Sequence, residues 1–471
     1  MGYWGDNTMV GAQIVRDGRR ILSALAFIVS IPAFAVPAEF GLSPDNSRDL
    51  LLSTIGSAKS SILLNVYEFK SEGIADAVVN KIKSGVSVQV LVEGNPVGKL
   101  APDTHDNLEK IQKAMASSKA RGKNKLFIMM QTSKKQPRRY RYDHAKYVVV
   151  DGKRVLVTSE NFSDSGQAEA GKVGNRGWIT VLEDSSLAQE LRDIFETDTD
   201  TSSNDILDIG AADAVPNTFR LATLPEQPIT LVANMGVTKA AGSKRTVPTI
   251  ASAQGDVQNT HLVTSPDSLK PLVSMIDSAR SRVDLEFMSL PSKWREPGAS
   301  APDYSPLIRS LVSASKRGAK VRVLLNDDKV FGGGGTSAND SGDDNIFLTL
   351  QKVGNIVNLA PFATKNTNQD TVDYLNELAE CDNLSLEARI VDIQQVEITY
   401  IHNKGILVDD DQVLVSSING TRNSVMNNRE VGVQLISKPA SKYYSGAFNF
   451  DWAQSPALKV TKAACSTLTR P

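Results

Sequence analysis

His144–Asp151 reads HAKYVVVD, and His402–Asp409 reads HNKGILVD. Each stretch continues with the same later spacing: Ser159 and Asn161 in TSEN follow the first, Ser417 and Asn419 in SSIN follow the second. The chain has 471 residues and 4 histidines, and two of the histidines head these copies. A single His-x-Lys on a strand is an ordinary surface pattern. Two copies with matching downstream serine and asparagine are not. The repeat therefore predicts one site assembled from two half-sites.

Residues two apart on a strand share a face. The VVV and ILV runs favour strands, so His144 with Lys146, and His402 with Lys404, point together. In VVVDGKRVLV the Asp-Gly pair marks a hairpin turn between two strands. The returning strand then brings Asn161 towards the first pair, and Asn419 towards the second. Two imidazoles, two ammonium groups and two amides suit a tetrahedral anion such as a phosphate. Imidazole serves near neutral pH as nucleophile and as general acid or base, and a pair supplies one of each.

The halves also repeat upstream. Ser57–Phe69 (SAKSSILLNVYEF) pairs with Ser278–Leu290 (SARSRVDLEFMSL), and Gly85–Asn95 (GVSVQVLVEGN) pairs with Gly318–Asp328 (GAKVRVLLNDD). Between them lie helical patterns, EGIADAVVNKIKSG and SPLIRSLVSASKRG, both ending at glycine. Strand, helix, strand is a βαβ unit, which predicts an α/β fold of two similar lobes, each a mixed sheet flanked by helices. The expected organisation is an export signal over 1–38, a first lobe over 39–199, a polar linker over 200–257 and a second lobe over 258–471. The stretch 332–345 (GGGGTSANDSGDDN) reads as a surface loop, since no Lys-Ser or Lys-Thr follows its glycines.

The two motifs, with their repeat over nearly the whole mature length, resemble the paired HKD motifs of the phospholipase D superfamily. That resemblance implies a bilobal fold with the motifs meeting at the lobe interface, a covalent phosphohistidine intermediate, and no metal or other cofactor. It assigns catalytic roles to His144, Lys146, His402 and Lys404, and phosphate contacts to Asn161 and Asn419 beside Ser159 and Ser417. The motif aspartates match Asp151 and Asp409, which sit at expected hairpin turns where Asp also serves the backbone. Glu430, in Asn428-Arg429-Glu430, matches the carboxylate that orients a catalytic imidazole. The aligned first-half stretch is Asn175-Arg176-Gly177, with no carboxylate; Glu169, Asp164 or another acceptor would have to stand in for it. The implied activity is hydrolysis or transfer of the phosphatidyl group of phospholipids, with cleavage of nucleic-acid phosphodiesters as the alternative and a non-catalytic anion-binding role as a third reading.

Net charge is −1, so no global signal for binding a polyanion exists. One local run, Lys119 to Arg141, is basic without interruption until Asp143, and Lys134, Lys135, Arg138 and Arg139 lie within it. It is expected to be either a solvated loop or a platform for lipid headgroups or a nucleic-acid backbone. Arg16, Arg19 and Arg20, the apolar run ILSALAFIVSIPAFA, and small residues at Ala33-Phe34-Ala35 and Val36-Pro37-Ala38 follow the order of a secretory signal. A secreted or periplasmic monomer is expected; an uncleaved anchor is the other reading of the apolar run. The 2 cysteines, Cys381 and Cys465, either form one disulfide or remain two buried thiols. His105 and His261 stand outside any cluster and are expected at the surface or in loops.

Overall fold

The computed structural model describes residues 35–96, 100–130, 137–210, 240–331, 367–458 and 465–471. Residues 1–34 of the signal expected over 1–38, Lys134 and Lys135, and the glycine-rich stretch 332–345 lie outside them.

The first half contributes β1 (Val36–Ser43), α1 (Ser47–Ser57), β2 (Ser61–Val66), α2 (Glu72–Lys83), β3 (Ser87–Glu93), α3 (Pro102–Ser117), β4 (Lys125–Met129), β5 (Lys146–Val150), β6 (Arg154–Thr158), β7 (Gly177–Glu183), α4 (Ser185–Asp198), β8 (Ile206–Asp208) and β9 (Ala253–Val257). The second contributes β10 (Asn259–Ser265), α5 (Leu269–Asp277), β11 (Arg282–Phe287), β12 (Lys293–Trp294), β13 (Asp303–Tyr304), α6 (Pro306–Lys316), β14 (Lys320–Leu325), α7 (Asn368–Asp382), β15 (Leu386–Ile390), α8 (Ile393–Val396), β16 (Lys404–Val408), β17 (Gln412–Ser416), α9 (Arg422–Met426), β18 (Glu430–Ile436) and α10 (Lys438–Gln454).

The first sheet runs β8-β4-β3-β2-β5-β6-β7-β1-β9 and the second runs β10-β18-β17-β16-β11-β14-β15. Without β8 and β9 the two orders are the same, one the reverse listing of the other. In each sheet a parallel trio (β2-β3-β4; β11-β14-β15) joins an antiparallel hairpin series. Both are mixed sheets flanked by helices, as the repeat predicts. The expected crossover helices form as α2 and α6, and the glycines beyond them, Gly85 (φ 92) and Gly318 (φ 99), take the left-handed conformation that lets the chain turn back. β8 and β9 both fall in the stretch 200–257, so that stretch also caps two edges of the first sheet, β8 on β4 and β9 on β1.

The central strands β5 and β16 are buried at every residue, which is why they read as near-continuous apolar runs. One face of each sheet packs on its own helices: Leu51, Ile62 and Ile111 belong to the first such core, Leu272, Val283 and Leu311 to the second. The other faces meet each other and α4 and α10, in a third core that includes Tyr147, Trp178, Leu407, Val415 and Phe448. Each such side chain, fully buried, stabilises by about 1.5–3 kcal/mol. Trp178 stacks on Tyr444 with ring centroids 4.6 Å apart. Gly405 makes room for it, because a Cβ there would stand 2.5 Å from the indole ring. Cys381 and Cys465 form a disulfide that ties the C-terminal stretch to α7. Among the described residues no helix is long and apolar enough to cross a membrane.

Candidate active site

The third core ends at the two histidines, which lie just ahead of β5 and β16. Each is held by the opposite half. The His144 N–H donates to the Arg429 carbonyl (2.8 Å), and the His402 N–H donates to the Arg176 carbonyl (2.8 Å). In return the Arg429 and Arg176 N–H groups donate to the carbonyls of Tyr142 and Tyr400. The residue before each histidine is fixed by a strand end: the Asp143 N–H donates to Glu93 Oε2 (2.7 Å), and the Ile401 N–H to Asn326 Oδ1 (3.0 Å). These two-fold related ties bring the imidazoles to a centroid separation of 6.5 Å with an interplanar angle of 78°. His144 is 2% exposed and His402 3%.

The carboxylates cross the lobe boundary too. His144 Nδ1 lies 2.8 Å from Glu430 Oε2, so the second-half carboxylate serves the first-half histidine. Glu430 accepts hydrogen bonds from the Ser417 hydroxyl (2.6 Å), the Ser424 hydroxyl (2.6 Å) and the Asn428 amide (3.0 Å). His402 Nδ1 lies 3.2 Å from Glu160 Oε2, and the Asn175 amide donates to the same oxygen (3.0 Å). Glu160 is thus the carboxylate that the first-half motif lacks. Glu169 and Asp164 do not fill that place: both are exposed, and Asp164 lies 3.6 Å from Arg48. The sequence signal was Glu160 itself, a carboxylate between Ser159 and Asn161 where the second copy has Ile418.

Both lysines are fully buried. Lys146 Nζ donates to the His144 carbonyl (2.7 Å) and stands 5.3 Å from the Tyr67 ring centroid. Lys404 Nζ donates to the His402 carbonyl (2.7 Å) and lies 3.8 Å from Met288 Sδ. Tyr67 and Tyr400 flank the imidazoles, with centroids 4.7 Å from His144 and 5.8 Å from His402. Neither tyrosine was singled out in the sequence. The Asn161 amide donates to Glu68 Oε2 (3.2 Å), and the Asn419 N–H donates to the Ser424 hydroxyl (2.8 Å). The serines serve the scaffold: Ser159 Oγ accepts from the Trp178 N–H (3.1 Å), and Ser417 Oγ bonds Glu430 and the Val431 N–H.

Asp151 and Asp409 lie at the far ends of β5 and β16 from the histidines, at turn residues with φ 52 and 50. Asp151 accepts from the backbone N–H groups of Lys59, Ser60 and Ser61, and Asp409 from those of Arg280, Ser281 and Arg282. Burial pushes the Asp151 carboxyl up, but the hydrogen bonds from Ser61, Ser60 and Lys59 outweigh it and hold the pKa down at about 2. The motif aspartates therefore clamp the turn to the preceding loop, and the structure does not place them at the imidazoles.

The basic run divides. Arg138 forms a two-pronged pair with the fully buried Glu93 (2.9 and 2.5 Å). Arg139 pairs with Asp205 and donates to the carbonyls of Thr197 and Asp198, and Lys125 pairs with Asp208. Arg138 and Arg139 thus hold the segment that leads into His144, and Lys125 ties β4 to β8, which corrects their reading as a free platform. Lys119 and Lys123 are exposed. Among the described residues one group could hold a metal ion, His105, Asp106 and Glu109 on α3. His105 is buried there rather than at the surface.

A family model described as cardiolipin synthase, phospholipase D-like domain, matches residues 51–199 and 272–452, enclosing one motif each. No curated protein sequence matches the chain. Phosphatidylserine synthase from Haemophilus influenzae Rd KW20 is 14% identical, covers 93% of this chain with 92% of its own length and superposes with a TM-score of 0.58, so the fold is shared. Nuc, a phospholipase D family member from Salmonella typhimurium, is 23% identical over 36% of this chain and 97% of its own, with a TM-score of 0.30. Polyphosphate kinase from Porphyromonas gingivalis is 13% identical over 88% of this chain and 50% of its own, with a TM-score of 0.42.

Proposed function

The chain belongs to the phospholipase D-like family of the cardiolipin synthase type, and from that premise we propose that it cleaves or transfers the phosphatidyl group of phospholipids at the His144–His402 centre. The observation that carries this reading is the pair of buried imidazoles 6.5 Å apart, each with Nδ1 at a buried carboxylate. With Nδ1 so engaged, Nε2 is the nitrogen for chemistry. His144 Nε2 attacks phosphorus, and the P–O bond to the leaving alkoxide breaks as His402 gives it a proton. His402 then takes the proton of a water or an acceptor alcohol, whose oxygen displaces His144 from phosphorus. Lys146 and Lys404, with Asn161 and Asn419, balance the non-bridging oxygens. No cofactor enters these steps, and turnover is expected to persist in excess chelator.

A phospholipid rather than a nucleic acid is favoured by the matched family's name. The test is purified protein offered mixed phospholipid vesicles, with and without glycerol, and plasmid DNA in parallel. Phosphatidic acid or a transferred phosphatidyl product, with an acid-labile phosphoenzyme, supports the reading. Nicked plasmid with no lipid turnover replaces it by the nuclease reading.

Export is part of the proposal, supported by the N-terminal order of basic, apolar and small residues and by the Cys381–Cys465 disulfide. Of the two candidate cleavage positions, the one after Ala35 leaves β1 whole. Cleavage after Ala38 would remove Val36, Pro37 and Ala38, which pair with Val257, Asp256, Gly255 and Leu182. N-terminal sequencing of exported protein should begin at Val36.

A further inference from the structure

Glu430 is the first residue of β18, directly after Asn428 and Arg429. Its counterpart after Asn175 and Arg176 is Gly177, the first residue of β7. A Cβ on Gly177 would stand 2.2 Å from Glu160 Oε1, 2.6 Å from Glu160 Cγ and 2.6 Å from Ser159 Oγ. The space of the missing side chain is therefore filled by Glu160, reaching in from the end of the neighbouring strand. In the second half the slot of Glu160 holds Ile418, fully buried, and the carboxylate comes from β18. The two half-sites thus carry one carboxylate each, from different strands.

We propose that Glu160 is the positioning residue of His402, a carboxylate relocated from the Gly177 position. The proposal rests on the two-histidine reading above. A buried carboxylate needs partners to stay charged. Glu430 has three donors besides His144. Glu160 Oε2 accepts from the Asn175 amide and lies 3.2 Å from His402 Nδ1, and Oε1 accepts no hydrogen bond among the described residues. A carboxylate beside Nδ1 holds the ring and favours the imidazolium that forms when His402 carries a proton. A proton donor needs that form, whereas an attacking nitrogen needs the neutral one. Asn175 also ties the carboxylate to the segment entering His402, since its Oδ1 accepts from the Thr399 hydroxyl (2.5 Å) and its amide donates to the Tyr400 hydroxyl (3.2 Å).

A bland packing role, Glu160 as a plug beneath Gly177, predicts that Glu160→Gln behaves as wild type. The positioning role predicts otherwise on a soluble p-nitrophenyl phosphodiester, whose leaving group departs without a proton. In Glu160→Gln the first-turnover burst of p-nitrophenolate persists, steady turnover falls on the order of 10–100-fold, and the limb of the pH profile that needs protonated His402 moves to lower pH. Glu430→Gln slows the burst itself. The double variant Glu160→Ile, Gly177→Glu, which copies the second half's arrangement, regains turnover that Glu160→Ile alone loses. Wild-type turnover and pH profile in Glu160→Gln, or equal loss of burst and steady rate, overturns the proposal. So does a double variant that melts like wild type and stays slow; should it fail to fold, the burst of Glu160→Gln decides. If the wild type forms no phosphoenzyme and His402→Asn leaves turnover intact, the two-histidine reading has failed instead.

Discussion

Arg176 and Asp451 meet across the lobe boundary, with Nε and Nη2 of the arginine 2.7 and 3.0 Å from the two carboxylate oxygens and both side chains fully buried. Arg429 and Asp198 form the two-fold related pair. The same arginine residues offer the carbonyls that hold His402 and His144, so each ion pair fixes a histidine-bearing segment through one residue. Arg176 also faces the buried Asp45 (3.3 Å), so loss of Asp451 removes one of its two carboxylate partners, at a cost of up to about 3–5 kcal/mol.

Asp451→Asn is therefore expected to lower the denaturation midpoint sharply and to reduce turnover at temperatures where the variant is still folded. Denaturant unfolding and kinetics on the same preparation check both. Full activity in a destabilised variant would show that the Arg176 carbonyl holds His402 without the ion pair.

Glu286 gives a pH prediction with a definite sign. Burial, reinforced by the charge of Asp451 and opposed by Arg176 and the Asn403 amide, raises its pKa from 4.5 to about 8. A carboxyl whose pKa is higher in the fold contributes stability below its ordinary pKa and loses it as pH rises to the folded value. Glu286→Gln fixes the neutral form and keeps the bond from Asn403 (3.2 Å). Its melting temperature should match wild type near pH 5 and exceed it increasingly up to about pH 8–9. A gap that does not change with pH would show that Glu286 is charged in the fold.

Asp151→Asn separates the turn clamp from chemistry. The carboxylate accepts three backbone N–H groups and the Ser60 hydroxyl, and an amide can accept only part of that set. The expected loss is about 1–3 kcal/mol of stability, with kcat nearly unchanged. Because the folded pKa is held down at about 2, the clamp's contribution disappears as pH falls from about 4 towards 2. A variant that melts normally but turns over slowly would return Asp151 to the reaction centre.

Much of this was legible because it is local and repeated. Asp-Gly between apolar runs does become a turn with left-handed residues at Asp151 and Gly152, and the duplicated strand-helix-strand pattern does give two sheets of one order. What sequence reading missed lies between distant segments. That Glu430 serves His144, 286 residues away, follows from the two-fold packing of the lobes, for which no short-range period exists. Charge counting saw Arg138 and Arg139 without Glu93 and Asp205, which stand 45 and 66 residues off. β8 and β9 were hidden because ILD and AQGDV are short edge strands with little apolar alternation.

Arg138 is where that omission changes an expected result. Reading the run as a recruiting surface predicts that removing its charge raises the Michaelis constant on vesicles and spares turnover on a small phosphodiester. The structure predicts the reverse for this residue. Glu93, fully buried, holds the Asp143 N–H directly ahead of His144 and depends on Arg138 for compensation. Arg138→Gln strips that charge partner, so about 3 kcal/mol of stability should go. Turnover should fall alike on vesicles and on a soluble phosphodiester, because the His144 segment loses its anchor. Salt should change the defect little, since screening acts mainly on exposed charges. Lys119→Gln and Lys123→Gln, made together at exposed positions, provide the contrast and should leave turnover on the small substrate untouched. If Arg138→Gln instead impairs only vesicle turnover, and high salt erases the difference, then the Glu93 pair is dispensable and the arginine works as a surface charge.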